Sequence, residues 1–271
     1  MTVALVTGAS SGMGKAFAKA LLAQGLIVYA AARRLDRMND LAGLGAIALK
    51  MDITREDDVQ ALVKRIEQDH GSVDVLVNNA GFGVFGAMEE TAIDDARYQF
   101  EVNLFGMARL TQLLLPAMRK KRSGKIINIS SMGGKMYTPM GCWYHATKHA
   151  VEGWSDCLRL ELRPFGIDVV IIEPGVIATG FGDVMLKPLL ARSGAGPYSG
   201  MANVIASATR ASFQEGGASD PQVIVNLVLK AVRARKPRTR YAAGKYARPL
   251  MFIRKWLGDR VFDGIVLAAM K

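Results

Sequence analysis

The feature that most narrows the fold is a strand that runs directly into a glycine-rich turn. Val3-Ala4-Leu5-Val6 is a short, continuous apolar run, the pattern of a parallel strand covered on both faces. It enters Thr7-Gly8-Ala9-Ser10-Ser11-Gly12-Met13-Gly14 and then a helical pattern from Lys15 to Gln24. Strand, turn and helix in that order open a dinucleotide-binding βαβ unit. The glycines let the backbone turn tightly and approach a pyrophosphate, which sits at the positive end of the helix. The spacing is G-x-x-x-G-x-G rather than the commoner G-x-G-x-x-G.

The rest of the chain repeats the alternation. Strands are expected at Leu26–Ala32, Ala46–Met51, Val73–Val77, Lys125–Ser131 and Ile167–Ile172, with a weak seventh at Thr239–Gly244. Helical patterns cover Thr54–His70, with Glu56, Asp57 and Asp58 in the first turn where the dipole favours them, then Asp94–Arg119, Trp143–Arg163 and Ser219–Ala234. Gly180 to Ser219 shows no clean period and reads as an irregular lid or binding segment. Lys245 to Lys271 reads as one or two basic amphipathic helices. No repeat or linker divides the chain, so a single domain over residues 1–271 is expected, an α/β doubly wound sheet with helices on both faces.

Strand ends locate chemistry in such a sheet, because ligands bind beyond the carboxyl ends. After the second strand, where a carboxylate about 20 residues past the glycines would bind a ribose 2′-hydroxyl, the chain reads Ala31-Ala32-Arg33-Arg34. Two guanidiniums suit a 2′-phosphate, which points to NADP(H) in preference to NAD(H). The alternative is that both arginines are solvated loop residues. The fourth strand ends in Asn78-Asn79-Ala80-Gly81, amides and small residues that would fit a backbone against a ribose. The fifth ends in hydroxyls, with Ser131 placed where a substrate could lie. Asn103 falls inside a long helix although asparagine prefers caps, so it marks either a local bend or a contact to a bound water or a catalytic group.

Tyr144 and Lys148 lie one helical turn apart on one face. A phenol, with a pKa of about 10 when unperturbed, becomes a useful proton carrier when an ammonium favours the phenolate. Taken alone, the pair is an ordinary surface contact. The ordered set Thr7-Gly8…Gly12-Met13-Gly14, Asp52-Ile53, Asn78-Asn79-Ala80-Gly81, Asn103, Ser131, Tyr144…Lys148 and Pro174-Gly175…Thr179 gives it meaning. Over about residues 1 to 245 this set resembles the short-chain dehydrogenase/reductase family.

The resemblance implies a seven-stranded parallel sheet of order 3-2-1-4-5-6-7. It implies that Tyr144 is the general acid in ketone reduction and the base in alcohol oxidation, and that Ser131 hydrogen-bonds the substrate oxygen. Lys148 would hold the nicotinamide ribose and lower the tyrosine pKa, while Asn103 positions a water linking Lys148 to solvent. The cofactor would be held by Gly8, Ser10, Ser11, Gly12, Met13 and Gly14, by Arg33 and Arg34, by Asp52 and Ile53, and by Asn79, Ala80 and Gly81. Tyr144, Lys148, Pro174, Gly175, Ile177 and Thr179, the last on the carboxamide, would complete the set. A homodimer or homotetramer acting on a small-molecule alcohol or ketone is the implied assembly. A non-catalytic NADP(H) sensor or scaffold and an epimerase or dehydratase are the competing readings on this fold.

Charge and cysteine content bound the partners. Of the net +11, the segment Arg233–Lys271 carries +9, from eleven Lys/Arg and two Asp, so the remaining chain is nearly balanced and nucleic acid is not an expected partner. The basic tail could cover the substrate cleft or a subunit interface, make peripheral contact with an anionic membrane, or bind acidic partners. Similar extensions in 17β-hydroxysteroid and retinol dehydrogenase-like members tilt the substrate toward a lipophilic one. Cys142 and Cys157 fit no metal or disulfide framework, and His145 and His149 have no third ligand, so no metal is expected. With the first strand at Val3 and no apolar run near the roughly 18 to 20 residues of a membrane span, a cytoplasmic chain is expected.

Overall fold

Alternation along the first strand sets the two faces of the molecule. In Val3–Thr7 (β1) every residue is buried, Ala4 and Val6 toward one helical layer and Val3 and Leu5 toward the other. The computed structural model describes residues 1–213 and 216–270; Gln214 and Glu215 of the expected lid and Lys271 of the expected tail lie outside the described residues. The strands are β1, Ile27–Ala32 (β2), Ile47–Lys50 (β3), Val75–Asn78 (β4), Gly124–Ile129 (β5), Ile167–Pro174 (β6) and Arg240–Ala243 (β7). All pair in parallel in the order β3-β2-β1-β4-β5-β6-β7, as the family resemblance implies.

Helices cover both faces. Gly12–Leu22 (α1), the short Asn39–Gly43 (α2) and Gln222–Arg233 (α9) bury Phe17, Leu21, Leu41, Ile224 and Val228 against Val6, Ala30, Val77 and Ile172. On the other face, Glu56–His70 (α3), Gly106–Lys121 (α5) and Cys142–Leu162 (α6) bury Leu62, Ile66, Leu110, Leu114 and Leu158 against Leu5, Leu76 and Ile126. Each such side chain withdrawn from water contributes on the order of 1.5–3 kcal/mol. The helix expected over Asp94–Arg119 is interrupted: Ile93–Phe100 (α4) passes through a π-helical segment, Glu101–Phe105, before α5. Asn103 lies in that segment.

Gly180–Ser219 is not irregular. It contains Phe181–Ser193 (α7) and Ser199–Phe213 (α8), whose inner residues Met185, Leu186, Leu189, Ala202 and Ala206 form a third apolar cluster with Phe85 and Met140. The tail folds as Ala247–Trp256 (α10) and Gly258–Ala268 (α11). Among the described residues, no helix is long and apolar enough to cross a membrane.

The sheet order reverses between β1 and β4, and in open sheets of this kind ligands bind at the carboxyl edge beside such a reversal. The fully buried Thr7 hydroxyl bridges the two strand ends, accepting the N–H groups of Asn79 and Ala80, each at 3.0 Å. Asn79 Nδ2 returns to Thr7 O at 3.0 Å. Replacing Thr7 with valine keeps the shape but leaves two donors without an acceptor. The Thr7→Val variant is expected to lose roughly 2 kcal/mol of unfolding free energy, read as a lower urea midpoint with an unchanged m-value; an unaltered midpoint would contradict this role.

Candidate active site

The glycine turn is built for close approach. Gly8 sits at φ +68°, and a Cβ there would stand 2.9 Å from Asn79 Nδ2 and 3.0 Å from Ala80 Cα; a Cβ on Gly14 would meet Gly8 O at 2.4 Å. The turn therefore packs directly on the β4 end. Ser11 precedes α1 in extended conformation with no side-chain cap, and no acidic residue occupies the first turn, so the helix dipole faces outward uncompensated. Arg34 reaches across from the β2 end, its Nη2 3.3 Å from Ser10 Oγ and 3.4 Å from Ser11 Oγ. Arg33 Nη1 donates instead to Tyr98 Oη at 2.9 Å. Both arginines are exposed. This cradle of glycine backbone, helix terminus, hydroxyls and guanidinium fits a dinucleotide phosphate group.

Other expected cofactor residues divide. Thr179 Cβ lies 3.8 Å from where a Cβ on Gly12 would stand, so the segment after β6 closes over the turn near Met13. Pro174 ends β6, and Gly175 and Ile177 hold that segment in place: Gly175 N donates to Ala243 O at 2.8 Å, and Ile177 is buried in the core. Asp52 is engaged in a turn, its Oδ1 accepting Thr54 N at 3.0 Å and Thr54 Oγ1 at 2.8 Å, while Ile53 is buried against α5. Asn78 turns into the core, donating to Thr111 Oγ1 and Asn128 Oδ1, whereas Asn79 joins the turn.

Asn103 acts as a bracket. Its Oδ1 accepts Phe82 N at 3.0 Å, and its Nδ2 donates to Phe82 O at 2.9 Å and to Thr147 Oγ1 at 3.1 Å. The side chain is 2 % exposed, and these bonds use both of its amide protons. It ties the Ala80–Gly81–Phe82 loop to α6 beside Lys148.

On α6, Tyr144 packs between Phe85 (ring centroids 5.2 Å apart) and Phe181 (5.7 Å). Burial raises the phenol pKa, and the facing Ser131 hydroxyl pulls it back down. Ser131 Oγ also accepts Gly133 N at 3.0 Å. Lys148, one turn further along α6, is anchored from another element, its Nζ donating to Ile129 O at 3.0 Å. Burial brings the ammonium down to about 8, and Glu152, one turn further along α6, opposes that fall. Glu152 is buried and itself compensated: its Oε2 lies 3.0 Å from Arg240 Nε, Arg240 Nη2 and Lys135 Nζ. Arg240 Nη2 reaches Asp156 Oδ2 as well, at 2.5 Å. Glu173, on β6, is driven up to about 7 by burial and by Glu152.

Sequence reasoning missed Phe85, Phe181, Glu152 and Arg240. Only the spacing of Glu152 four residues after Lys148 could have flagged any of them. It also missed Met140, a buried residue at φ +62° whose carbonyl accepts Gly86 N at 2.9 Å just before α6. Arg192 and Ser193, at the end of α7, fasten that helix to α4 through Asp95 Oδ2 (2.7 Å) and to the β4–α4 loop through Phe85 O (3.1 Å) and Ala87 N (2.9 Å). Cys142, near the start of α6, is exposed. It opens on a largely apolar cavity of about 640 Å³ between α6 and α11.

This combination of sheet and site has clear relatives. The short chain dehydrogenase model matches residues 2–187. The chain belongs to that family. It is 43 % identical over 182 residues to 3-ketodihydrosphingosine reductase of Bacteroides thetaiotaomicron, a match covering 67 % of this chain and 66 % of the relative, just short of two thirds of the relative's length. A short-chain dehydrogenase from Streptomyces avermitilis superposes with a TM-score of 0.82 at 35 % identity, covering 97 % of this chain and 98 % of that one. An actinorhodin polyketide ketoreductase variant with NADPH (TM-score 0.74, 30 % identity, 89 % and 94 % covered) shares the fold. So does a Burkholderia phymatum family member with NAD (0.79, 24 %, 95 % of each). The chain is thus an oxidoreductase of a family that binds nicotinamide dinucleotides.

His145, next to Tyr144, holds the approach to α6. Its Nδ1 bonds Gly133 O at 2.9 Å, and its Nε2 accepts Thr138 N at 3.0 Å, which fixes a neutral ring protonated on Nδ1. Burial lowers its pKa. Unfolded histidine, near 6.5, takes up a proton first on acidification. The stabilisation is therefore complete above about 6.5 and is lost as pH falls through the folded value. Unfolding free energy should fall from pH 7 to pH 5, and His145→Gln should flatten that slope; parallel slopes would exclude His145 as its source.

Proposed function

We propose that this chain is an NADP(H)-dependent alcohol dehydrogenase or carbonyl reductase that interconverts a secondary alcohol and a ketone with a lipophilic body. The observation that carries the reading is the Tyr144 phenol, walled by Phe85 and Phe181 and faced by Ser131, on the carboxyl side of the sheet. Two ketone reductases by name among the similar proteins agree with it. Apolar Met140, Met185 and Leu189 continue the wall, which suits a hydrophobic substrate body better than a charged one.

NADP(H), when bound, gives or takes the hydride. In the reductive direction Tyr144 Oη donates its proton to the carbonyl oxygen as negative charge builds there, and in the oxidative direction it recovers that proton. Burial keeps the phenol protonated at neutral pH, and Ser131 stabilises both the phenolate and the developing alkoxide by hydrogen bonding. Lys148, charged at neutral pH, supplies the positive potential that a departing phenol proton requires and holds the ribose. Asn103 is a positioning residue: its side chain, spent on Phe82 and Thr147, holds the loop after β4 against α6 beside Lys148, where a relay water would run. The Arg34 contact with Ser10 and Ser11 supports a 2′-phosphate beside the pyrophosphate turn, and so NADP(H) over NAD(H). The family resemblance supports one catalytic domain acting in the cytoplasm as a homodimer or homotetramer.

Tyr144→Phe is expected to slow NADPH-dependent ketone reduction by at least about 10²-fold while NADPH binding, read by fluorescence titration, stays nearly unchanged. Undiminished turnover would overturn the acid–base assignment. Replacing Arg33 and Arg34 together with alanine should raise the dissociation constant for NADPH by about tenfold or more and leave that for NADH almost unmoved. Equal effects on both cofactors would refute the 2′-phosphate assignment.

A further inference from the structure

The basic tail is not absorbed by the chemistry. One side of the α10–α11 hairpin packs inward: Phe262 is fully buried and stacks edge-on against Tyr137 at 5.2 Å, and Arg254 lies 5.1 Å over the same ring. The other side is apolar and exposed. Phe252 and Trp256 follow one another at i,i+4, and Leu257, Val261 and Ile265 continue at the same interval across the helix break, each between 39 % and 65 % exposed. Such a stripe of large apolar residues at helical spacing is left in water only where something covers it.

Charge identifies the cover. The two helices carry Arg248, Arg254, Lys255 and Arg260 against Asp259 and Asp263, a net +2, and follow a stretch rich in Lys and Arg from Arg233 to Lys245. Both acids of the tail are already occupied, Asp259 by Arg254 at 2.5 Å and Asp263 by the Tyr137 hydroxyl at 2.8 Å. Arg248, Lys255 and Arg260 are exposed beside the apolar stripe and make no ion pair among the described residues, and Lys255 Nζ sits 4.9 Å over the Trp256 ring. A second copy is a poor match, because a two-fold contact built on this face would set like charges against each other. We propose that the exposed face of α10–α11 docks on an anionic lipid bilayer, with Phe252, Trp256, Leu257, Val261 and Ile265 entering the interfacial layer and Arg248, Lys255 and Arg260 meeting the lipid phosphates. Tryptophan at the interface with flanking cations is the chemistry of a helix lying in the membrane plane. The docking goes beyond the redox reading and does not depend on it, since it is read by binding alone.

The test is co-sedimentation of the full chain with phosphatidylcholine vesicles, with and without phosphatidylglycerol. The chain should pellet with the anionic vesicles, be released as salt is raised, and pellet weakly with neutral ones. Phe252→Ala with Trp256→Ala should cut the bound fraction about tenfold, and Lys255→Glu with Arg260→Glu should remove the preference for phosphatidylglycerol. Unchanged circular dichroism and NADPH binding would show that the variants are folded. If one pair fails to fold, the other still decides. Failure of the wild-type chain to bind anionic vesicles, or equal binding by folded variants, overturns the proposal. So does concentration-dependent self-association that the Phe252/Trp256 variant abolishes without any vesicle binding, which would make the face a subunit interface.

Discussion

A single buried hydroxyl ties the ends of the two central strands together. Thr7 lies where the strand order reverses, and its hydroxyl extends the β1–β4 pairing, which reaches Val6 and Val77, into the loops beyond the strand ends. By accepting two successive N–H groups, Thr7 ties the cofactor turn to the loop that Asn103 ties in turn to α6. The chain of contacts runs from glycine turn to Tyr144 helix through groups that are each hydrogen-bonded at close to normal length. A site that must hold two reactants within a fraction of an ångström gains from this, because its parts share one rigid frame.

Burial of charge on α6 is the second constraint. Lys148 and Glu152 would each be costly inside the fold if left alone, and each is partly offset by the other and by Arg240 and Lys135. The same burial that brings the lysine to about 8 raises Glu173 to about 7. The region therefore holds groups poised to change charge near neutrality, which a solvent-exposed arrangement of the same residues would not provide.

The sheet was readable from the chain because parallel strands covered on both faces are locally apolar, and Val3–Thr7, Val75–Asn78 and Ile167–Pro174 carry that signal without help from neighbours. The glycine turn was readable because only glycine tolerates the approach of Asn79 to Gly8 and Gly14. The lid was not. Gly182, Pro188, Gly194 and Gly200 dilute any period between 180 and 219, and the helices there are held by tertiary burial of Leu189, Ala202 and Ala206 against Phe85 and Met140. The π segment was signalled only by Asn103, a poor fit inside a helix; the widening itself lies in hydrogen-bond register, which composition does not report. Glu152 and Arg240 are 88 positions apart, a pairing that no local pattern encodes. Lys148 was correctly placed next to the phenol in sequence, but its donor is aimed by the Ile129 carbonyl, which belongs to another element.

Arg240 has one further consequence. It sits on β7, the short edge strand that leads into the tail, and its guanidinium is pinned to Glu152 and Asp156 on the helix that carries Tyr144. The tail and the reactive helix are thus mechanically in series, with an ion pair as the coupling between them. Glu152 is in turn the carboxylate that opposes the burial-driven fall of the Lys148 pKa. Through Arg240, the strand that precedes the two tail helices is thus fixed to a carboxylate one helical turn from the ammonium.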